Sequence, residues 1–76
     1  MSKLRLNVLI QAVGKQIWEV CNEIEKIVGV KTVHTVVGPF DAIVYAELGS
    51  PNDLRQFLDD IHGIVGIIKT ETCIAA

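Results

Sequence analysis

Ile27-Val28-Gly29-Val30-Lys31-Thr32 returns later in the chain as Ile64-Val65-Gly66-Ile67-Ile68-Lys69-Thr70, with one residue inserted. In both copies a glycine stands between an apolar helix end and a strand start. The likeness extends upstream. Leu9-Ile10-Gln11-Ala12-Val13-Gly14-Lys15 parallels Val44-Tyr45-Ala46-Glu47-Leu48-Gly49-Ser50, an apolar run, a glycine and a polar helix start. Each half therefore predicts strand, helix, glycine-marked turn, strand. Joined at Gly38-Pro39-Phe40-Asp41, the two halves predict a βαββαβ chain.

The local patterns agree. Leu4, Leu6, Val8, Ile10 and Ala12 alternate with Arg5, Asn7, Leu9, Gln11 and Val13, the period of a strand. From Lys15 to Val28 the apolar residues Ile17, Val20, Cys21, Ile24, Ile27 and Val28 recur at steps of three and four, so one helical face is apolar. Gly29 suits a left-handed position just past that helix. Val30 to Val37 is β-branched and reads as a strand, and the tight Gly38–Asp41 turn sends Ala42 to Leu48 back antiparallel. Ser50 is a natural N-cap, Pro51 fits the first helical position, and Asp53 adds negative charge there. Leu54, Phe57, Leu58 and Ile61 form the second helical stripe, Gly63 or Gly66 ends it, and Ile67 to Ile74 is the last strand. The expected fold is α+β and ferredoxin-like: one domain over residues 1–76, a four-stranded antiparallel sheet with both helices on one face.

A chain of 76 residues is 50% hydrophobic and 5% aromatic. A domain this small buries only about 60–65% of its unfolded surface, so part of that apolar area is expected to meet another subunit. With Ala42, Val44, Ala46 and Leu48 facing the helices, the open face shows Ile43 and Tyr45, joined by Leu9 and Val13. A solvated antiparallel face should be polar, so this face predicts a contact with a second copy. Trp18 falls off the first helical stripe. It reads as a residue over the core edge or as a contact with a neighbouring subunit.

The net charge of −2 argues against nucleic-acid binding, which needs a basic stripe. No apolar run reaches the ~18–20 residues of a membrane span, and Asn7 and Gln11 interrupt any signal-peptide core. The expected location is cytoplasmic. Cys21 and Cys73 form no C-x-x-C pair and read as two buried, reduced thiols. His34 and His62 stand near no nucleophile motif and match no metal signature. Glu19, Glu23 and Glu25 read as a solvated helix face. No catalytic residue, metal site or cofactor is expected.

The stretch Val37-Gly38-Pro39-Phe40-Asp41-Ala42-Ile43 matters more. Gly38 can take positive φ, and Asp41 can accept hydrogen bonds from turn amides. Together with Thr70-Glu71-Thr72 in the closing strand, this G-x-x-D turn resembles the effector (RAM) domain of the Lrp/AsnC family of amino-acid-responsive regulators. The resemblance runs from Leu4 to Ile74. It implies a dimeric α+β barrel in which sheet faces pack together and dimers assemble into a larger ring, an octamer or decamer. Effector sites then lie between dimers. Carried onto this sequence, Gly38, Pro39, Phe40 and Asp41 line an amino-acid site, with Thr70 and Thr72 nearby, and Leu9, Val13, Trp18, Ile43 and Tyr45 serve assembly. Regulators of the family carry a helix-turn-helix before this domain, whereas this sequence opens on the first strand. The expectation is therefore the stand-alone form, without direct nucleic-acid or membrane partners. Pro39-Phe40 occupies variable family positions and bears on which ligand is accepted.

Three other readings stay open. An ACT-type domain would bind its amino acid at Val13-Gly14-Lys15. A small dimeric α+β barrel enzyme would need His34 or Tyr45 in a pocket between helices and sheet. An assembly partner would co-oligomerise with full-length Lrp/AsnC regulators and bind nothing.

Overall fold

In the computed structural model, which describes residues 3–14 and 16–75, strands β1 (Leu4–Ala12), β2 (Val30–Thr35), β3 (Ala42–Leu48) and β4 (Ile67–Ile74) alternate with helices α1 (Ile17–Glu25) and α2 (Leu54–His62). The strands form one sheet in the order β2-β3-β1-β4, and all three pairings are antiparallel. The βαββαβ expectation holds.

Register explains which face is buried. Leu6, Val8 and Ile10 of β1 stand opposite Ala46, Val44 and Ala42 of β3, so alternate residues of the two central strands share one face. These six and Leu48 are buried, and they form a single core with Val20 and Ile24 of α1 and Phe57 and Ile61 of α2. Both helices therefore cover the same face. The other face shows Leu9 beside Ile43 and Asn7 beside Tyr45. His34 stands against Ile43 there as well.

Several boundaries differ from expectation. α1 stops at Glu25, not Val28, because its last turn tightens. Lys26 N–H bonds to Glu23 O, Ile27 N–H to Ile24 O and Val30 N–H to Ile27 O, each three residues back. Gly29 (φ +100) follows that tightened turn, and close approach governs it. A Cβ there would stand 2.7 Å from Leu48 Cδ2 and 3.1 Å from Glu47 O, and Gly29 O accepts the Glu47 N–H at 2.9 Å. The second copy of the motif repeats the device, with Gly66 O accepting the Val13 N–H at 2.7 Å. The glycines of the repeat thus seat each half on the strand of the other.

β2 ends at Thr35, since Val36 N–H turns to bond Asp41 O and closes a loop over residues 36–41. Ser50 caps a single 3-10 turn (Pro51–Asp53) through its backbone, without a side-chain bond, before α2 begins at Leu54. Gly63 ends α2 with φ −75, while Gly66 takes φ +104. The cysteines are free but not buried: Cys73 is exposed and Cys21 half-buried. Cys73 lies on the open face, opposite Asn7, which explains its exposure. Glu25 is solvated, whereas Glu19 and Glu23 are half-buried.

Candidate functional site

The sheet topology gathers three connections at one end. β1 and β2 finish there, β3 and β4 start there, and so residues 13, 14 and 16 share that end with residues 36–41 and 63–66. Asp41 ties the 36–41 connection to the end of β1. Its N–H donates to Ile10 O at 2.7 Å, and its carboxylate Oδ2 accepts the Ala12 N–H at 2.9 Å. The residue type alone points Asp41 at amides of its own turn; the carboxylate reaches instead to the end of β1, where the pairing with β4 shifts between Gln11 and Ala12. That irregularity turns the Ala12 N–H out of the ladder, and the carboxylate satisfies it.

Gly38 has φ +154, and nothing stands within 4 Å of a Cβ built there. Its backbone is glycine's, but no crowding occurs within one chain. Phe40 is half-buried and carries the loop across to β4, where Lys69 Nζ lies 5.9 Å from the ring centroid, within cation–π reach. Thr70 stands across from Ile10, and Thr72 across from Val8. Ile10 also faces Ala42. With β1 between them, Thr70 and the start of β3 are two strand spacings apart, ~10 Å. Thr70 Oγ1 is already engaged, 2.8 Å from His62 Nε2 at the end of α2.

The same end gathers exposed apolar side chains. Val13, Trp18, Val37, Val65 and Ile68 are each more than half exposed, and all lie on or beside the three connections. Such a patch is costly in water unless something covers it. Trp18 is 59% exposed, so it does not roof the core. Val13 lies just past β1 instead of on the open face.

Two hollows lie elsewhere. A cleft of about 240 Å³ at the opposite end of the sheet is bordered by Gly29, Leu48, Gly49 and Phe57, and an open groove of about 540 Å³ follows α2. None of Gly38, Pro39, Phe40, Asp41, Thr70 or Thr72 lines either. The arrangement an enzyme would require is not formed, because the pairings of His34 and Tyr45 put both on the face away from the helices. The Cys21 thiol is held above its ordinary pKa by burial and then by the Glu25 carboxylate, which works against a thiolate nucleophile. Among the described residues, no group of three or more His, Cys, Asp or Glu is placed to hold a metal ion, and no helix is long and apolar enough to cross a membrane.

Ala12, His62 and Lys69 join this constellation unannounced by any local motif. Only the register that sets Ile10 between Ala42 and Thr70 brings them in. Lys15 of the ACT-type alternative lies outside the described residues, but its neighbours Val13 and Gly14 belong to this same end.

Comparison with known proteins agrees with this architecture. Residues 7–76 match the family model described as Lrp/AsnC ligand binding domain. An uncharacterized HTH-type transcriptional regulator of Pyrococcus furiosus is 35% identical over 66 residues, which cover 87% of this chain and 45% of that protein. The chain thus spans less than half the length of this relative. TTHA0845 of Thermus thermophilus superposes with a TM-score of 0.89 at 26% identity, over 96% of this chain and 92% of that one. The Neisseria meningitidis transcriptional regulator NMB0573, solved as a complex with L-Met, superposes at 0.85 over 96% of this chain and 49% of its own. At 13% identity that likeness speaks for the fold alone.

Proposed function

Because the chain belongs to the Lrp/AsnC ligand-binding domain family, we propose that it is an amino-acid-sensing module acting as a homo-oligomer in transcription regulation. The observation that carries this reading is the gathering of three connections at one end, where the loop over residues 36–41 is fixed to β1 through Asp41 and exposed apolar side chains stand on or beside the connections. A second copy covering that end would enclose a ligand between subunits. In this proposal Gly38, Pro39, Phe40 and Asp41 line the site, with loop amides for the ligand carboxylate. Thr70 and Thr72 stand on β4, the strand that Phe40 reaches at Lys69, and complete the site from there. A zwitterion needs partners for both charges on leaving water.

The ligand class is supported by the Neisseria regulator, whose structure holds L-Met. Pairing through the open face rests on Leu9, Ile43 and Tyr45, half-buried together on an otherwise polar surface. Dimers joined at their loop ends would make the larger ring, and full-length regulators of the family are the further partners proposed. A thermal-shift screen against the twenty amino acids tests the reading. One or a few should raise the melting temperature in a concentration-dependent way; no shift from any of them at millimolar concentration contradicts it.

A further inference from the structure

α2 carries two stripes. Phe57 and Ile61 enter the core. Pro51, Leu54, Arg55, Leu58, Asp59 and His62, at steps of three and four, line the open groove along its flank. Arg55 and Asp59 are one helical turn apart, yet no ion pair joins them. Lys3 and Glu47 do form an ion pair, at 3.7 Å. Asp60, by contrast, is held by Gln56 Nε2 at 2.8 Å.

The placement of Arg55 and Asp59 is locally unfavourable twice over. A base preceding an acid by four residues is the weaker order for a helical pair. Arg55 also stands near the positive end of the helix dipole and Asp59 near the negative end, each the wrong way round. Asp53 at the N-cap and His62 in the last turn offset the dipole in part. The Arg55–Asp59 pair itself is still left unmade on an exposed face, and a local rule broken there points to an interaction outside the chain.

The pattern is its own complement when reversed. A second α2 laid antiparallel about a two-fold axis sets Arg55 of each copy against Asp59 of the other, with Leu54 and Leu58 of both copies alongside. One patch serving both partners in this way is an isologous contact. We propose that the flank of α2 is a self-docking surface for a second copy of this chain, fixed by two reciprocal Arg55–Asp59 pairs. One short helix flank falls below the ~800 Å² per partner of a standard interface. The contact therefore operates between dimers already paired through their open faces, where each added contact gains from multivalency; it rests in that respect on the pairing proposed above. The groove lies on the helix layer and the paired face on the opposite side of the sheet, so one subunit can use both.

Charge exchange tests this. Sedimentation velocity at tens of micromolar compares the wild type with Arg55→Asp, with Asp59→Arg, with the doubly exchanged chain, and with an equimolar mixture of the two single variants. Far-UV circular dichroism checks that each is folded. The wild type should exceed a dimer in mass, and each single variant should fall to a dimer, because the loop-end and α2 contacts hold dimers together only jointly. The mixture and the double variant should both recover the wild-type mass. Single variants that keep that mass, a mixture that stays dimeric, or a wild type no larger than a dimer would each overturn the proposal. A monomeric wild type would overturn the open-face pairing as well, which separates the two failures.

Discussion

The Asp41 carboxylate accepts the backbone N–H of Ala12 at 2.9 Å across 29 positions of sequence. It joins the loop before β3 to the last residue of β1. Removing it leaves a partly buried donor unsatisfied, so Asp41→Ala should destabilise the fold by about 1–3 kcal/mol. Urea unfolding with unchanged slope and a lower midpoint is the expected result. An unchanged midpoint would mean that water serves Ala12 equally well.

Gly29→Ala and Gly14→Ala separate steric conflict from backbone strain. Both glycines have positive φ, +100 and +75, which costs an L-residue about 1–2 kcal/mol. At Gly14 that is the whole penalty, since nothing stands within 4 Å of a Cβ. At Gly29 the new methyl also meets Leu48 Cδ2 and the Glu47 carbonyl, so its loss of stability should be clearly the larger of the two. Equal losses would count against the close seating of the repeat glycine on β3.

Tyr45 donates its hydroxyl to Glu47 Oε2 at 2.9 Å. That bond, aided by the charges of Lys3 and Lys31, holds the Glu47 carboxyl below its usual range despite some desolvation. A depressed folded-state value means the associated stability is present above the unfolded pKa and is lost as pH falls through the folded one. Tyr45→Phe should therefore raise the Glu47 titration midpoint followed by carboxyl-carbon NMR. A midpoint that stays put would show that the hydroxyl does not govern it.

Ile43→Asp places a charge beside Leu9, at the centre of the open face. If that face pairs with a second copy, an uncompensated carboxylate there costs ~3 kcal/mol or more, and the assembly should dissociate while each chain stays folded. Native mass spectrometry showing the variant assembled as the wild type would remove the open face from the interface.

The fold was legible because the repeated glycine motif and the change from two-residue to helical periodicity agree along the whole chain. Helix ends were less so: the tightening after Glu25 depends on where Gly29 must land against Leu48, which periodicity does not encode. The candidate site was half visible. Gly38 and Asp41 announce a turn by residue type, but the Asp41–Ala12 bond, the Phe40–Lys69 contact and the His62–Thr70 bond come from strand register. Thr70 and Thr72 read as neighbours of the turn, whereas the β2-β3-β1-β4 order sets them two strands away.

The central claim is that an amino acid binds at the loop over residues 36–41, and Gly38→Val tests it most directly. A β-branched residue does not readily adopt the φ of +154 found at Gly38, so the loop amides would be re-aimed, while the open space around Gly38 leaves the core untouched. Isothermal titration of the amino acid selected by the thermal-shift screen, into folded and oligomeric Gly38→Val protein, should show binding weakened at least ~10-fold, about 1.4 kcal/mol. Affinity equal to that of the wild type would contradict the placement and direct attention to the turn at Val13 and Gly14.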